Sequence, residues 1–434
     1  MTTLSTLDQA LPQELAGGER FVRNFLFLAT FLLAWFTVSP FPDLGDQQAA
    51  AGATAGDVAS QAAAVLMTGA LALYVLVKRP PLLSRALTLP LLATLAAFAV
   101  SAMLSSYPDV AGRRLVLAIF NIFQATMLVL LPYGREHFAR LLASAAIVIL
   151  AACYFGVAFL PRLSIHQATD IAEPGLAGDW RGLFTHKNGA GAGMVLLIFI
   201  GIFIYRTWNR AIAVGIITLS AIFLYFTHSK SPINLLSVVF LISYLLPRLR
   251  SGMVAFVLIA GIPLMLNLLS VGSVMFGPVH DLIAHLMSDP SYTGRDVIWQ
   301  FALDHVRQRP LFGFGFEAFW GMPDLVADWN YLESWGYRAS DAHNGYLNLA
   351  VTTGLVGLGL SLWWIVAQPF ADYWRGRLQT TDRAFAMLLL QIWIFALCLA
   401  CYESVFFAGG SGQWVLTMSA IVGLRFRTLA KSCA

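Results

Sequence analysis

Residues 189–226 read GAGAGMVLLIFIGIFIYRTWNRAIAVGIITLSAIFLYF. Two long apolar runs flank a short basic break, R-T-W-N-R. A helix needs about 20 apolar residues to cross a bilayer. Runs of this length separated by short polar breaks therefore predict a polytopic helical protein rather than a barrel. The rest of the chain repeats the pattern, with apolar segments centred near residues 31, 68, 96, 122, 149, 197, 219, 239, 262, 356, 395 and 419. Composition agrees: 58% of the 434 residues are hydrophobic and 12% charged, against roughly 45–50% and 25% in a soluble domain. The expected fold is a single all-α transmembrane domain over 1–434 with about twelve spans. The first run is not expected to be a cleaved signal peptide, since no A-x-A-like site follows it promptly and further spans do.

The charges give this layout a direction. With a cytoplasmic N-terminus, the inner segments collect Arg20, Arg23, Lys78, Arg79, Arg85, Arg135, Arg140, Arg206, Arg210, Arg248, Arg250, Arg375, Arg377, Arg383, Arg425, Arg427 and Lys431, most of the basic residues. The positive-inside rule then predicts both termini in the cytoplasm. The first outer loop, PFPDLGDQQAAAGATAGD, carries acidic residues and no Lys or Arg. Two outer loops are longer than turns: 161–187 between spans 5 and 6, and 277–342 between spans 9 and 10. Loops of that size usually have a function.

Cys153, Cys398 and Cys401 fall in apolar segments and Cys433 at the tail, without zinc or redox spacing. No metal or cofactor is expected. Within the long loop, TGRDVIWQFALDHVRQRP has helical punctuation: Thr293 as cap with Asp296 three residues on, Ile298, Phe301, Ala302 and His305 at helical spacing, and Pro310 as the stop. This predicts an amphipathic helix lying along the outer face of the bilayer. Phe316, Trp320, Trp329, Tyr331 and Trp335 follow it, suited to the lipid interface or to the flat face of a sugar ring. The G-F-G-F at 313–316 follows no predicted strand and is no nucleotide loop.

Several cations break the inside bias: Arg113, Arg114, Arg181, Lys187, Lys230 and Arg295 all fall on the outer side. Ionisable residues at the mouths of membrane helices tend to mark substrate paths, and clustered Arg and Lys suit a phosphate or pyrophosphate. Taken singly, each could simply snorkel to the interface. In DWRGLFTHKNGAGAGM, Arg181, His186, Lys187 and Asn188 precede a helix whose glycines either admit a ligand or pack against neighbouring helices. FTHSKSP places His228, Ser229, Lys230 and Ser231 in a short polar turn. Glu403, in CYESVFF, is expected to pair with one of the outward arginines, or else to accept a proton. In DAHNGYLNL, His343 and Asn344 stand before the tenth span, with Asn344 favoured as a helix cap.

Taken together, R-G-L-F-T-H-K-N-G, T-H-S-K-S, T-G-R-x-x-x-W with R-P-x-x-G-x-G, and A-H-N-G-Y-L resemble the O-antigen ligase and polymerase superfamily, most closely its succinoglycan-type exopolysaccharide polymerases. The motifs span 175–360. The resemblance implies metal-independent glycosyl transfer on the periplasmic face of a bacterial inner membrane. The donor would be an undecaprenyl-pyrophosphate-linked oligosaccharide. The acceptor would be a second lipid-linked repeat unit for a polymerase, or lipid A-core for a ligase. Arg181 and Arg295 match family arginines and His343 the family histidine. Lys230 stands where many members have Arg, keeping the charge but losing the bidentate fork. The expected mechanism has Arg181, Lys230 and Arg295 holding pyrophosphate, and His343 acting as base on the acceptor hydroxyl. Lys187, His186, Asn188, Asn344, Arg113, Glu403 and Trp320 are further candidates for substrate binding. The implied partners are membrane lipids and a flippase and chain-length regulator of the same pathway, with no nucleic acid. A transporter or flippase of lipid-linked sugars is the alternative from another class, but it should show internal repeats or broken helices with ionisable residues at mid-membrane. No such repeat is visible.

Overall fold

The computed structural model describes residues 17–36, 40–46, 58–171, 173–286, 289–322, 324, 339–377 and 383–429. The protein is all-helical, with no strand among the described residues beyond an isolated bridge between Ile165 and Trp180. Each of the twelve apolar segments falls in a helix: α1 (Gly17–Leu33), α2 (Val58–Lys78), α3 (Leu89–Met103), α4 (Pro108–Leu130), α5 (Arg135–Phe159), α6 (Lys187–Thr207), α7 (Arg210–Phe226), α8 (Lys230–Leu245), α9 (Gly252–Leu269), α10 (Gly345–Leu362), α11 (Arg383–Leu399) and α12 (Gly412–Leu429). Seven are long and apolar enough to cross a membrane: α2, α4, α5, α6, α8, α9, and α10 with its continuation to Gly376. Helices α3, α7 and α11 are apolar but shorter. About twelve spans are expected; among the described residues twelve helices carry the apolar segments, and seven of them meet the length and hydropathy of a full span.

Burial separates inner helices from outer ones. Helix α6 is the most enclosed of these seven, 78% buried over its apolar window, and packs on α5, α7, α8, α11 and α12. Without a hydrophobic drive inside lipid, such packing depends on close van der Waals approach. Gly191 and Gly193 serve that approach: an added Cβ would come within 2.8 Å of Ser229 and of Phe184 respectively. By contrast only 6% of the α2 window is buried, and Leu66, Leu73, Leu76 and Val77 face outward as lipid would require.

Residues 295–322 of the long loop pack back onto the bundle. Its expected helix is present as Arg295–Gln308, with Ile298, Phe301, Ala302 and His305 all buried. Its start differs from the sequence reading: Gly294 is the cap, in the left-handed region (φ 81°), and no side chain caps the helix. Asp289 orders the turn ahead of it, accepting from the N–H groups of Ser291 and Thr293. The buried face packs with Phe314, Phe319, Trp320, Leu347 and Val351.

Next comes the G-F-G-F segment, and the structure gives it a use. Helix α10 breaks at Gly354 (φ 69°, ψ −177°). Its freed backbone groups bond to the loop: Phe314 N–H donates to Val351 O, Gly315 N–H to Thr352 O, Leu355 N–H to Pro310 O and Val356 N–H to Leu311 O. Irregular backbone at membrane depth is tolerated when protein satisfies it in this way. Phe316 then stacks on Phe98, ring centres 4.6 Å apart. Phe316 and Trp320 are thus core residues, not an interfacial belt or an open sugar platform; Trp329, Tyr331 and Trp335 lie outside the described residues.

Candidate active site

Glu403, in the turn after α11, is the point where the separate polar stretches meet. Its Oε1 accepts from Arg295 Nη2 (3.0 Å) and from Asn188 Nδ2 (2.8 Å). Arg295 Nη1 also donates to the Tyr402 carbonyl. Asn188 Oδ1 in turn accepts from Ser229 Oγ at 2.8 Å. The other carboxylate oxygen, Oε2, faces His343 Nδ1 at 3.6 Å. Asn188, Ser229, Arg295 and His343 all stand at helix N-termini, of α6, α8, the long-loop helix and α10. Those ends carry positive dipole and bare N–H groups, so an anion in their midst is stabilised. Burial alone would raise the Glu403 carboxyl, but the Arg295 charge and the His343 imidazole hold it far below the usual carboxylate range. The expected pairing of Glu403 with an outward arginine is therefore present, and Arg295 is the partner.

His343 is poised rather than bonded. Its ring Nδ1 has no hydrogen-bond partner among the described residues; Glu403 lies at 3.6 Å and Asp341 Oδ1 at 4.0 Å. Its backbone is left-handed (φ 44°), an uncommon conformation for a non-glycine residue. The His343 N–H donates to Asp341 Oδ1 (2.7 Å), which holds that turn. Burial works against protonation of the ring, but Asp341 and Glu403 outweigh it and raise the pKa above 6.5. Asn344 is a cap, as its sequence suggested: Oδ1 accepts from the N–H groups of Tyr346 and Leu347, and Nδ2 donates to Asn267 Oδ1 and Cys401 O.

The shorter loop frames this cluster with histidine–carboxylate pairs. His186 caps α6 through Nδ1, which accepts from Asn188 N–H, so Nε2 carries the proton and donates to Glu173 Oε2 at 2.7 Å. Burial works against the Glu173 charge, but the hydrogen bond from His186 keeps its pKa below the ordinary value. His166 pairs with Asp170 at 2.9 Å. Asp179 binds both Lys187 Nζ and His228 Nδ1 at 2.6 Å, tying the loop to the T-H-S-K-S turn.

Other expected residues lie elsewhere. Arg181 is 1% exposed, and its guanidinium donates to the carbonyls of Phe184 (3.1 Å) and Pro42 (2.7 Å). Its charge is spent on backbone, so it pins the loop instead of joining Arg295. Arg113 is exposed and its Nε donates to its own helix at Asp109 O. The neighbouring Arg114 is the one turned to the long loop, donating to the Glu317 carbonyl. The buried Trp320 gives its indole N–H to Asn348 Oδ1 at 2.6 Å. Lys230 is exposed and has no ion pair among the described residues. Sequence reasoning missed Glu317, Asn348 and Asp179, because no motif spacing marks them and only the fold gives them partners. A cavity of about 470 Å³ lies along another face of the long-loop helix, lined by Ser273, Val274, His280, Asp296, Val297 and Gln300 but not by Arg295.

Residues 215–362 match a family model described as O-antigen ligase. That window takes in Lys230, Arg295 and His343. Exopolysaccharide production protein ExoQ of Rhizobium meliloti is 28% identical over 116 residues, covering 26% of this chain and 26% of that protein. The aligned region thus spans about a quarter of the curated relative. Together the two matches bear out the resemblance to the O-antigen ligase and exopolysaccharide polymerase superfamily.

Proposed function

We propose that the protein is a membrane glycosyltransferase that joins undecaprenyl-pyrophosphate-linked oligosaccharide units into exopolysaccharide on the periplasmic face of a bacterial inner membrane. The observation that carries this reading is the His343–Glu403–Arg295 arrangement at converging helix N-termini, inside the family's matched window for two of its three members. Such a set suits attack by a hydroxyl with departure of an anion. The acceptor oxygen forms the new bond to the anomeric carbon while the bond from that carbon to pyrophosphate oxygen breaks. The pyrophosphate leaves with the electron pair, and the hydroxyl proton passes to His343 Nε2. Glu403, close to Nδ1, stabilises the imidazolium as it forms; hydrogen bonds of this kind are often long before substrate binds.

Arg295 uses two of the roughly five N–H donors of a guanidinium on Tyr402 O and Glu403, leaving others for phosphate oxygens. Lys230 is exposed at the start of α8 and supplies a second charge. Developing negative charge is stabilised best by donors already in place. Arg181 holds loop 161–187 in this reading and does not touch substrate. The break in α10 is filled by the neutral backbone of residues 310–315, so it forms no ion site of the kind a transporter needs.

The test is purified protein in liposomes with lipid-pyrophosphate oligosaccharide. Longer lipid-linked products are expected from the native chain, and a loss of at least about a hundredfold from His343→Ala, the contribution of a general base. Transfer to a different acceptor alone would make it a ligase. Movement of lipid without bond formation would sink the glycosyl-transfer reading.

A further inference from the structure

Glu317 closes the long-loop segment that docks on α10, and nothing in the mechanism above uses it. Its backbone is left-handed (φ 55°), a conformation that costs a residue with a Cβ. Two neighbours fix it there: Arg114 donates to its carbonyl oxygen, and Asn348 Nδ2 donates to its Oε1 at 3.1 Å. Asn348 lies one turn beyond Asn344 on α10, its N–H donating to Asn344 O at 2.8 Å. A turn is about 5.4 Å, so Glu317 meets α10 one turn along from the position that follows His343.

Direction in this network is dictated by chemistry. An indole N–H can only donate, so the Trp320 bond to Asn348 must end on the amide oxygen. The amide NH₂ therefore faces Glu317, whose Oε1 must accept. Any proton on the carboxyl has to sit on Oε2, which has no hydrogen-bond partner among the described residues. Arg114, the nearby cation, makes its hydrogen bond to the backbone carbonyl, and no ion pair joins it to the Glu317 carboxyl among the described residues.

We propose that Glu317, oriented by Asn348 and Trp320, is a second substrate-binding group whose Oε2–H donates to an uncharged oxygen of the saccharide: a hydroxyl, a ring oxygen or an acyl carbonyl. The inference rests on the glycosyl-transfer reading for its ligand class. The surroundings favour the protonated form. Burial pushes the carboxyl up to about 7 and Asp341 adds to this, against the Arg114 charge and the Asn348 hydrogen bond. On the adjoining segments, Tyr107 and Asp324 are hydrogen-bonded to each other.

Saccharide binding to the full chain in nanodiscs tests this, using the isolated lipid-linked repeat unit as probe over a range from about one unit below to about one unit above pH 7. Native affinity should fall as pH rises through about 7. Glu317→Gln keeps an acceptor for Asn348 and puts an N–H where the O–H was, so it should bind at near-native strength with that fall removed. Glu317→Ala should bind roughly tenfold more weakly, the worth of one hydrogen bond. A Gln variant as weak as Ala, or a native profile no different from that of Gln, would overturn the proposal, since a merely structural Glu317 would not move the pH dependence. The liposome assay decides the other question: binding that behaves as stated with neither lengthened product nor transfer to another acceptor rejects glycosyl transfer and leaves the Glu317 subsite standing.

Discussion

A histidine works as a base only in its neutral form, so the carboxylates around His343 have opposite effects before and during reaction. They raise its pKa above 6.5, which reduces the neutral fraction at lower pH, yet they also stabilise the imidazolium that proton transfer creates. Neutralising Glu403 removes a charge that favours protonation, so the His343 pKa must fall. The acidic limb of the rate–pH profile in a Glu403→Gln variant should shift to lower pH, while the maximal rate drops as the forming imidazolium loses its partner. Initial rates across the acidic range measure both effects, and an unmoved or raised limb would remove Glu403 from contact with the base. Lys230 offers a gentler probe: Lys230→Arg should preserve product formation and Lys230→Ala reduce it if a phosphate is held there. At this scale His343, Arg295 and Glu403 were visible in the sequence because polar residues at apolar helix mouths are costly and conspicuous. Arg181 was equally conspicuous and differently used, since a motif gives residue type and order but not where a guanidinium points.

Packing of the long loop against α10 decides where the site sits, and two glycines make it possible. A Cβ on Gly354 would lie 2.2 Å from the Leu311 carbonyl oxygen, in a positive-φ conformation, and one on Gly313 would lie 2.6 Å from Thr352 backbone. Neither backbone can give way without losing the hydrogen bonds that fill the helix break. Gly354→Ala should therefore destabilise by at least about 1–3 kcal/mol and impair activity through the displaced loop. Gly189→Ala is the contrasting case. Its Cβ would meet only Phe184 and Gln413, at 3.9 and 4.0 Å, so stability should stay within about 1 kcal/mol of native or improve, as Ala favours helix. Thermal unfolding in detergent compares the two directly, and equal losses would refute the assignment. The amphipathic helix at 295–308 was legible because its apolar spacing is local. Its Gly294 start and the docking of G-F-G-F were not, because both depend on contacts with residues distant in sequence.

For the whole molecule, hydropathy located every apolar helix, while the direction of the chain through the membrane rests on where Arg and Lys accumulate. Charge bias is weakest where function needs cations on the outer face, the side to which the sequence reading assigns Lys230 and Arg295. Orientation can be read from one span. The segment Lys230–Arg248 is 19 residues long, about 28 Å at about 1.5 Å per residue, close to the roughly 30 Å hydrocarbon core. Exposed positions at its two ends, Lys230 and Arg250, must then lie on opposite sides. Cys153, Cys398 and Cys401 are buried, so with Cys433→Ser as background, a membrane-impermeant maleimide reports on an introduced thiol. Lys230→Cys should label in cells with only the outer membrane permeabilised, and Arg250→Cys only after the inner membrane is opened. The reverse pattern would turn the His343 cluster toward the cytoplasm and require a different donor and acceptor for any transfer made there. The expected pattern would place His343, Arg295 and Glu403 on the periplasmic side, because Ser229, next to Lys230, is joined to that cluster through Asn188.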